Sequence, residues 1–500
     1  MFKIINTLAN QINRSPMFKK ILALLLVSLV FNAFVSAHSG KPKYHVIIDT
    51  DGAIDDMRAI SMFLAQNDTR VLAITCSQGT LAPDSIFVKV NNLLAAFHHE
   101  GIPLGLDKKL DKELPLWAAY TQKIKWAANE NSQSASPKVS SGELISLVFK
   151  DYPEKITLVA LGSLKTYAEL VEQHPEYVDN IERIVWYNNP YVDTDFNESV
   201  SPESYTYLKQ KNIPLEVVGN NSDRYNIDEA YVETIKSTNS KYAKQIAWVH
   251  QHPEIVSRMK AEHLQLWDDL VALYLTVPIL FQTEKTEGEV SYVSVQNELP
   301  DEVVNKAISA ILESGIQTTN RVFNSFPIIA DLYKPDYAKI LESTIENYGL
   351  IEWKAISMTN EIHGHTGIYS IIGAKMGIRA MEYFNVGVNN LTITTFAGSH
   401  PPLSCFNDGI QIGTGATIGQ GLISVSDTVL EVPTITASFN KQKIKIAVKQ
   451  EIAEQMQKEI EYGVNTYGGL TDEYWRYIEK LAIRYWSEFD RNEIFTIRKL

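Results

Sequence analysis

His45–Ile60 reads HVIIDTDGAIDDMRAI. The run His45-Val-Ile-Ile48 is apolar and largely β-branched, the composition of a strand buried on both faces. It leads straight into Asp49, Asp51, Asp55 and Asp56, and Met57 to Leu64 then reads as a helix. Four carboxylates within eight residues repel one another at the end of a buried strand. They ionise together only where solvent, hydrogen-bond donors or a cation offset that repulsion. A hard divalent cation with oxygen ligands does so most directly.

Outward from this stretch, strands alternate with helices. Strands are expected at Val71–Thr75, Ile156–Ala160, Ile181–Tyr187 and Pro214–Val218. Helices are expected at Ser85–His99, Leu164–Glu172 and Pro202–Gln210. That alternation predicts an α/β fold with a mostly parallel, doubly wound sheet, whose ligands bind at the carboxyl ends of the strands. The polar segments Asp49–Asp56, Gln78–Thr80, Gly162–Leu164 and Asn188–Asn197 all fall at such ends. Charges and Pro300 interrupt the pattern over residues 282–300. The expected organisation is therefore a first domain over 42–290, a smaller α+β domain over 301–440, and C-terminal helices over 441–500. Those helices are placed at Lys441–Tyr462 and Thr471–Phe489.

Residues 1–37 differ from the rest. They carry Lys3, Arg14, Lys19 and Lys20, no acid, an apolar run from Ile21 to Phe34, and the small-residue end Val35-Ser36-Ala37. This is the pattern of a secretory signal peptide. A membrane anchor is the alternative, but the apolar run is shorter than the ~20 residues a span needs. An exported, periplasmic or secreted chain without a stable membrane anchor is expected. Removing the four positive charges takes the net charge from −13 to −17. So acidic a chain disfavours nucleic-acid polymers and fits a small neutral or cationic partner. The oligomeric state stays open, a homo-oligomer included. Two cysteines, Cys76 and Cys405, exclude a disulfide scaffold.

Alone, DTDGAIDD has three readings. It is a solvated turn capping a helix, or an aspartate-based phosphatase strand end, or part of a wider pattern. The phosphatase reading lacks its hydroxyl, because Ala53 stands there, and leaves Asp55-Asp56 without a role. The wider pattern resembles the D-x-D-P-G-x-D-D signature of the inosine–uridine-preferring nucleoside hydrolase family. Thr157–Leu164 looks like that family's strand leading into G-P-L-T-N. Thr194-Asp-Phe-Asn197, followed by Ser201-Pro-Glu203, is similar to A-E-F-N followed by D-P-E. Trp267-Asp-Asp-Leu-Val-Ala272, ending in Pro278-Ile-Leu-Phe281, looks like H-D-P-L-A-V-A and its tail.

The resemblance covers residues 42–281 and implies a calcium site. Its ligands would be Asp51, Asp56, Asp268 and the Leu161 carbonyl, with Asp49 behind them. Asp51 would also activate water, and Asp55, Asp195 and Asn197 would hold the ribose. Trp267, where some members have a leaving-group acid, suggests purine stacking, with Trp117 or Trp126 as a further face or as core. The sequence departs from the family at Gly52-Ala53, Thr80 and Thr166. The expected activity is calcium-dependent hydrolysis of purine ribonucleosides to ribose and base. A non-catalytic nucleoside or ribose binder, with the second domain as the working part, is the alternative.

In the second half, Asn360-Glu-Ile-His363-Gly-His365, then Gly373–Gly377, Cys405–Gln411 and Thr414–Gly419 form an ordered set. It resembles the core of the E-type component of formylmethanofuran dehydrogenase, whose pattern is H-G-H-x-C-P-G, C-x-x-D-x-I-Q and T-G-C-T-x-G. Gly367 and Ala416 replace two of its cysteines. His363, His365 and Cys405 are ligand types for a transition metal such as zinc. A structural or vestigial site is the alternative.

Overall fold

The computed structural model describes residues 42–128, 139–190, 192, 195–220, 225–261, 264–297, 299–314 and 322–500. Residues 1–37, where the sequence leads to the expectation of a signal peptide, and Thr194 lie outside these residues. The chain forms two compact units. One comprises Pro42–Phe97 and Pro103–Gly315, the other His98–Ile102 and Ile316–Leu500.

The first unit is built on nine strands, β1 Tyr44–Thr50, β2 Thr69–Cys76, β3 Leu104–Leu106, β4 Val139–Ser140, β5 Ile156–Ala160, β6 Ile181–Tyr187, β7 Leu215–Val218, β8 Phe281–Glu287 and β9 Val290–Val295. Their order is β4-β3-β2-β1-β5-β6-β7-β9-β8, and every neighbouring pair is parallel except β8–β9. The chain runs one way from β1 out to β4 and the other way from β5 onward. The topological switch point therefore lies between β1 and β5, where open α/β sheets bind ligands. Val46, Ile47 and Ile48 are fully buried. Ile47 packs with Leu158, Ile184 and Tyr167 in one apolar cluster. Register sets Asp49 opposite Thr75 on one side and Ala160 on the other.

The boundary expected near residue 290 lies further on. Residues 281–295 form the β8–β9 hairpin at the sheet edge, and the helix Asp301–Ser314 also belongs to the first unit. Two of the charges that suggested a linker, Glu284 and Lys285, lie on the exposed run Thr283–Thr286, while Val290, Val293 and Val295 are buried against the sheet. Charged residues on an edge strand also block pairing with other chains.

The second unit holds β10 Thr392–Thr395, β11 Ile423–Val425, β12 Thr434–Phe439, β13 Gln442–Val448 and β14 Phe495–Lys499, ordered β11-β10-β12-β13-β14. Residues 441–500 are thus not a separate helical segment. Within Gln442–Val448, Ile444 and Ile446 are buried and Lys443 and Lys445 exposed, a period-2 strand. The two long helices of this region are Gln450–Tyr467 and Asp472–Glu488. Buried charges tie the unit together. Arg491 donates from Nε and Nη2 to Glu382 at 3.0 and 2.8 Å, and from Nη1 to Glu352 at 3.0 Å. Lys375 donates to the other Glu352 oxygen at 2.5 Å. Removing one member leaves a buried charge without its partner. Arg491→Met is expected to destabilise this unit by about 3 kcal/mol, read as a lower urea midpoint.

Candidate active site

The carboxyl end of β1 turns sharply at Gly52, whose φ is +80°. Proline, which the family pattern has here, is held near −65° and cannot adopt that conformation. Asp56 closes the turn from the first coil of the helix Ile54–Ala65. Its Oδ2 accepts from Thr50 Oγ1 at 2.6 Å and from the backbone N–H groups of Asp51 and Gly52 at 2.9 and 3.3 Å. One Asp56 oxygen is committed to the turn, leaving the other for the site.

The acids then divide. Asp49 points back into the sheet, accepting from Thr75 Oγ1 at 2.5 Å and Ser77 Oγ at 2.6 Å. Burial, then Asp107, push it up to about 8. Asp51 accepts from Ala53 N at 3.2 Å and lies against Gly79, where a Cβ would collide with its Oδ2. Only glycine permits that approach. Burial, and next Asp56, raise Asp51 well above the usual carboxylate range. Burial and Asp56 also raise Asp55, while Arg58 opposes them, and it rests at about 7.

Asp55, Asp56 and Asp268 each offer a carboxylate oxygen within 4.8 Å of the others'. Asp268 arrives just before the helix Asp269–Thr276, and its buried Oδ1 has no hydrogen-bond partner. Burial, then Asp56 and Asp55, raise it strongly. The family resemblance implies Asp51 on the ion and Asp55 on the sugar. The structure groups Asp55 with Asp56 and Asp268, and sets Asp51 and Leu161 on the same cleft outside that trio.

The cleft measures about 390 Å³, within the range of small-molecule sites. After β6, Asp195 reaches it from the N-cap of the helix Phe196–Val200 and Asn197 from that helix's first turn. Asn197 Nδ2 donates to the carbonyls of Leu161 at 2.9 Å and Tyr187 at 3.1 Å. Both amide hydrogens are thereby spent, so Asn197 meets a ligand through Oδ1, as an acceptor. Asp195 caps the helix Phe196–Val200, and burial raises its carboxyl. Trp267 and Trp117 line the cleft, whereas Trp126 is fully buried core. Trp117 meets the Phe196 ring edge-on at 4.8 Å and donates to Thr80 Oγ1 at 3.2 Å. Thr166 instead bonds Asp107, behind Asp49, at 3.0 Å.

A model of the inosine-uridine preferring nucleoside hydrolase family matches residues 46–307. The chain belongs to this family. A second model, of the FmdE family of the molybdenum formylmethanofuran dehydrogenase operon, matches residues 362–491. The pyrimidine-specific ribonucleoside hydrolase RihA of Salmonella arizonae is 30% identical over 184 residues, 35% of this chain and 59% of that protein. RihA of Shewanella oneidensis is 26% identical over 213 residues, 40% of this chain and 67% of that protein. The chain thus spans about three fifths of the first of these. Among solved structures, a plant nucleoside hydrolase has TM-score 0.46 at 18% identity, covering 55% of this chain and 100% of that one. A purine-preferring ribonucleoside hydrolase from Gardnerella vaginalis has TM-score 0.43 at 17% identity, covering 54% and 99%.

Several contributors to this nucleoside hydrolase cleft went unassigned in the sequence. Arg58 also lines it and is held by Asp269 through two bonds, Nε to Oδ1 at 2.9 Å and Nη2 to Oδ2 at 2.7 Å. Both side chains are buried. The second acid of Trp267-Asp-Asp269 was the available signal, without its distant partner. Lys89, also buried, donates to the carbonyls of Thr121 at 3.0 Å and Ile124 at 2.5 Å, pinning the turn that carries Trp117 and Tyr120 to the cleft. Lys89→Met is expected to raise the nucleoside KM about three- to tenfold with a smaller change in kcat, measured by steady-state kinetics.

In the FmdE-like unit, His363 Nδ1 bonds Asp408 Oδ2 at 2.8 Å, and its Nε2 is buried without a partner. His363 and Cys405 line one cavity of about 320 Å³. His365, its ring 4.3 Å from that of His363, lines a different cavity. The three sequence-predicted ligands are therefore divided between two cavities. Among the described residues, Asp55, Asp56 and Asp268 are the group of three whose ligand atoms converge. A Cβ at Gly367, where the family pattern has cysteine, would lie 3.4 Å from His363 Nε2. Both cysteines are free.

Proposed function

We propose that the chain hydrolyses the N-glycosidic bond of ribonucleosides, releasing ribose and a free base. One observation carries this reading: the partnerless, buried Asp268 Oδ1 beside Asp55 and Asp56, on an aromatic-walled cleft at the switch point of the sheet. Leaving such an oxygen unmet costs on the order of 1–3 kcal/mol or more. A donor set of carboxylates and a carbonyl suits a hard ion such as calcium. Asp56, Asp268 and the Leu161 carbonyl would hold it, completed by Asp51 or Asp55. When bound, calcium supplies positive charge that acidifies water and polarises sugar hydroxyls.

The remaining work falls to the chain's own residues. Asp51 takes a proton from the attacking water as its oxygen bonds to C1′. The C1′–N bond breaks, the base leaves with the bonding pair and takes up a proton from solvent, and Asp51 returns its proton to solvent. Asp55, Asp195 and Asn197 Oδ1 accept from the ribose hydroxyls, and carboxylate charge offsets the cation developing at C1′. Trp117, Phe196 and Trp267 bound the space for the base. These rings support a purine, whereas the specificity named for the RihA relatives supports a pyrimidine.

The deciding experiment incubates the purified chain with inosine, guanosine, adenosine, uridine and cytidine, with calcium or with chelator, and follows base release. No release above an Asp51→Asn control would sink the proposal and favour a non-catalytic binder. In the second unit, zinc held by His363 Nε2 and Cys405 is proposed. Asp408 on Nδ1 leaves the Nε2 lone pair free for it. Loss of bound zinc in His363→Ala tests this. The composition of residues 1–37 supports export, and no described helix is long and apolar enough to cross a membrane.

A further inference from the structure

Thr80, one of the positions where the sequence departs from the family pattern, has no part in the bond and proton movements of the hydrolysis. It sits in the turn that wraps Asp51. Just before it, Gly79 lies so close that a Cβ there would collide with the Asp51 carboxylate. Just after it, the Leu81 N–H donates to the Asp51 carbonyl at 3.1 Å. Thr80 itself is 2% exposed, so its hydroxyl serves other protein groups rather than solvent.

The polar atoms link those groups in one direction. Trp117 Nε1 donates to Thr80 Oγ1 at 3.2 Å. An indole N–H only donates, and a threonine hydroxyl that accepts it keeps one hydrogen of its own to give. Asp51 takes that hydrogen. Burial, then Asp56, raise the Asp51 carboxyl, and the N–H and hydroxyl of Thr80 pull it back by bonding the ionised form. The result is a chain from indole to hydroxyl to carboxylate, in which each donor polarises the next. Ala53 N–H holds Asp51 Oδ1 at 3.2 Å, so the carboxylate has anchors on both flanks.

The outer end of the chain stands in the cleft. Trp117 is 38% exposed and meets the Phe196 ring edge-on, between Asp195 and Asn197 in sequence. A base that lies against Trp117 therefore bears on the same hydrogen bonds that end at Asp51.

We propose that Thr80 is a positioning residue: its hydroxyl aims Asp51 at the attacking water, and Trp117 holds that hydroxyl in place while bounding the space for the base. The inference rests on the hydrolase reading with Asp51 as the base. It adds that contact with an aromatic base is read in the rate of water attack and not only in affinity.

The test is steady-state release of base from inosine and uridine by the full chain with calcium. Thr80→Val keeps the branched shape and removes the hydroxyl. Its kcat should fall about tenfold or more while KM changes less than about threefold. Thr80→Ser returns the hydroxyl and should bring kcat back to within about threefold of the parent. Trp117→Phe keeps a ring and removes the N–H, and should lower kcat about three- to tenfold. In the Thr80→Val background the same change should cost less than about twofold, because the chain is already broken. If Thr80→Val does not fold, Trp117→Phe decides, since that ring is partly exposed. An unchanged kcat in Thr80→Val or, where that variant does not fold, in Trp117→Phe overturns the proposal and leaves the hydrolase reading standing. So does a rise in KM alone, or a full Trp117→Phe loss on top of Thr80→Val. No base release by the parent chain overturns both.

Discussion

Asp268→Asn is expected to lower kcat/KM for nucleoside hydrolysis by about a thousandfold or more and to abolish stabilisation by calcium. The substitution keeps shape and removes one charge from three converging carboxylates. A hard cation loses a ligand it cannot replace from solvent at that depth. The effect on the metal-free chain has the opposite sign. Asp268 is raised by burial and by repulsion from Asp56 and Asp55, so a neutral amide relieves that repulsion. Thermal melts with calcium and with EDTA separate the two effects. The parent chain should gain about 2.7 kcal/mol at a hundredfold excess of calcium over Kd, and the variant almost nothing.

Asp51→Asn provides the contrast. Turnover should fall as far, because Asp51 is the proposed base, but the calcium-induced shift should persist if Asp55 rather than Asp51 completes the trio. Loss of that shift in Asp51→Asn would restore the ligand set implied by the sequence resemblance.

How much of this was legible depends on whether a signal is local. The apolar run before Asp49 and the helical pattern after it are local, and β1 and its helix formed where expected. The ordered motifs at Leu161, Asn197 and Asp268 were also legible, and all line one cleft. Partnerships made by the fold were not. Arg58 meets Asp269 across 211 positions, and Asp49 is reached by Thr75 from the neighbouring strand and by Ser77 from just beyond its end. Asn197 was recognised, yet its spent amide hydrogens depend on where two backbone carbonyls fall. The strand Gln442–Val448 is different, because its Lys-Ile-Lys-Ile alternation was local and the helical assignment passed over it. At residues 282–300, charge on an exposed edge strand imitated the composition of a linker.

Without calcium, the chain should lose stability as pH rises from 6 to 8, and calcium should remove or invert that slope. Burial is the leading cause that raises Asp49 to about 8 and Asp55 to about 7, and it also raises Asp51 and Asp268. In the unfolded chain these groups ionise near the ordinary value of 3.8. Between that value and their folded values the native state binds more protons, so the slope of stability against pH is negative. Stability present below about pH 4 is lost progressively up to about pH 8. His250 opposes this at lower pH. Burial holds it at about 3 against an ordinary 6.5, so it disfavours the native state as pH falls below 6.5. The carboxylates outnumber it, and above pH 6.5 it no longer counters them. From pH 6 to 8 the loss should be on the order of 3 kcal/mol. Calcium binds the ionised carboxylates, so its apparent affinity rises over the same window and offsets the repulsion. Urea denaturation at pH 6 and 8, with EDTA and with calcium, measures both slopes. Equal stability at the two pH values in EDTA would show that the acids do not share the buried environment on which the proposed ion site depends.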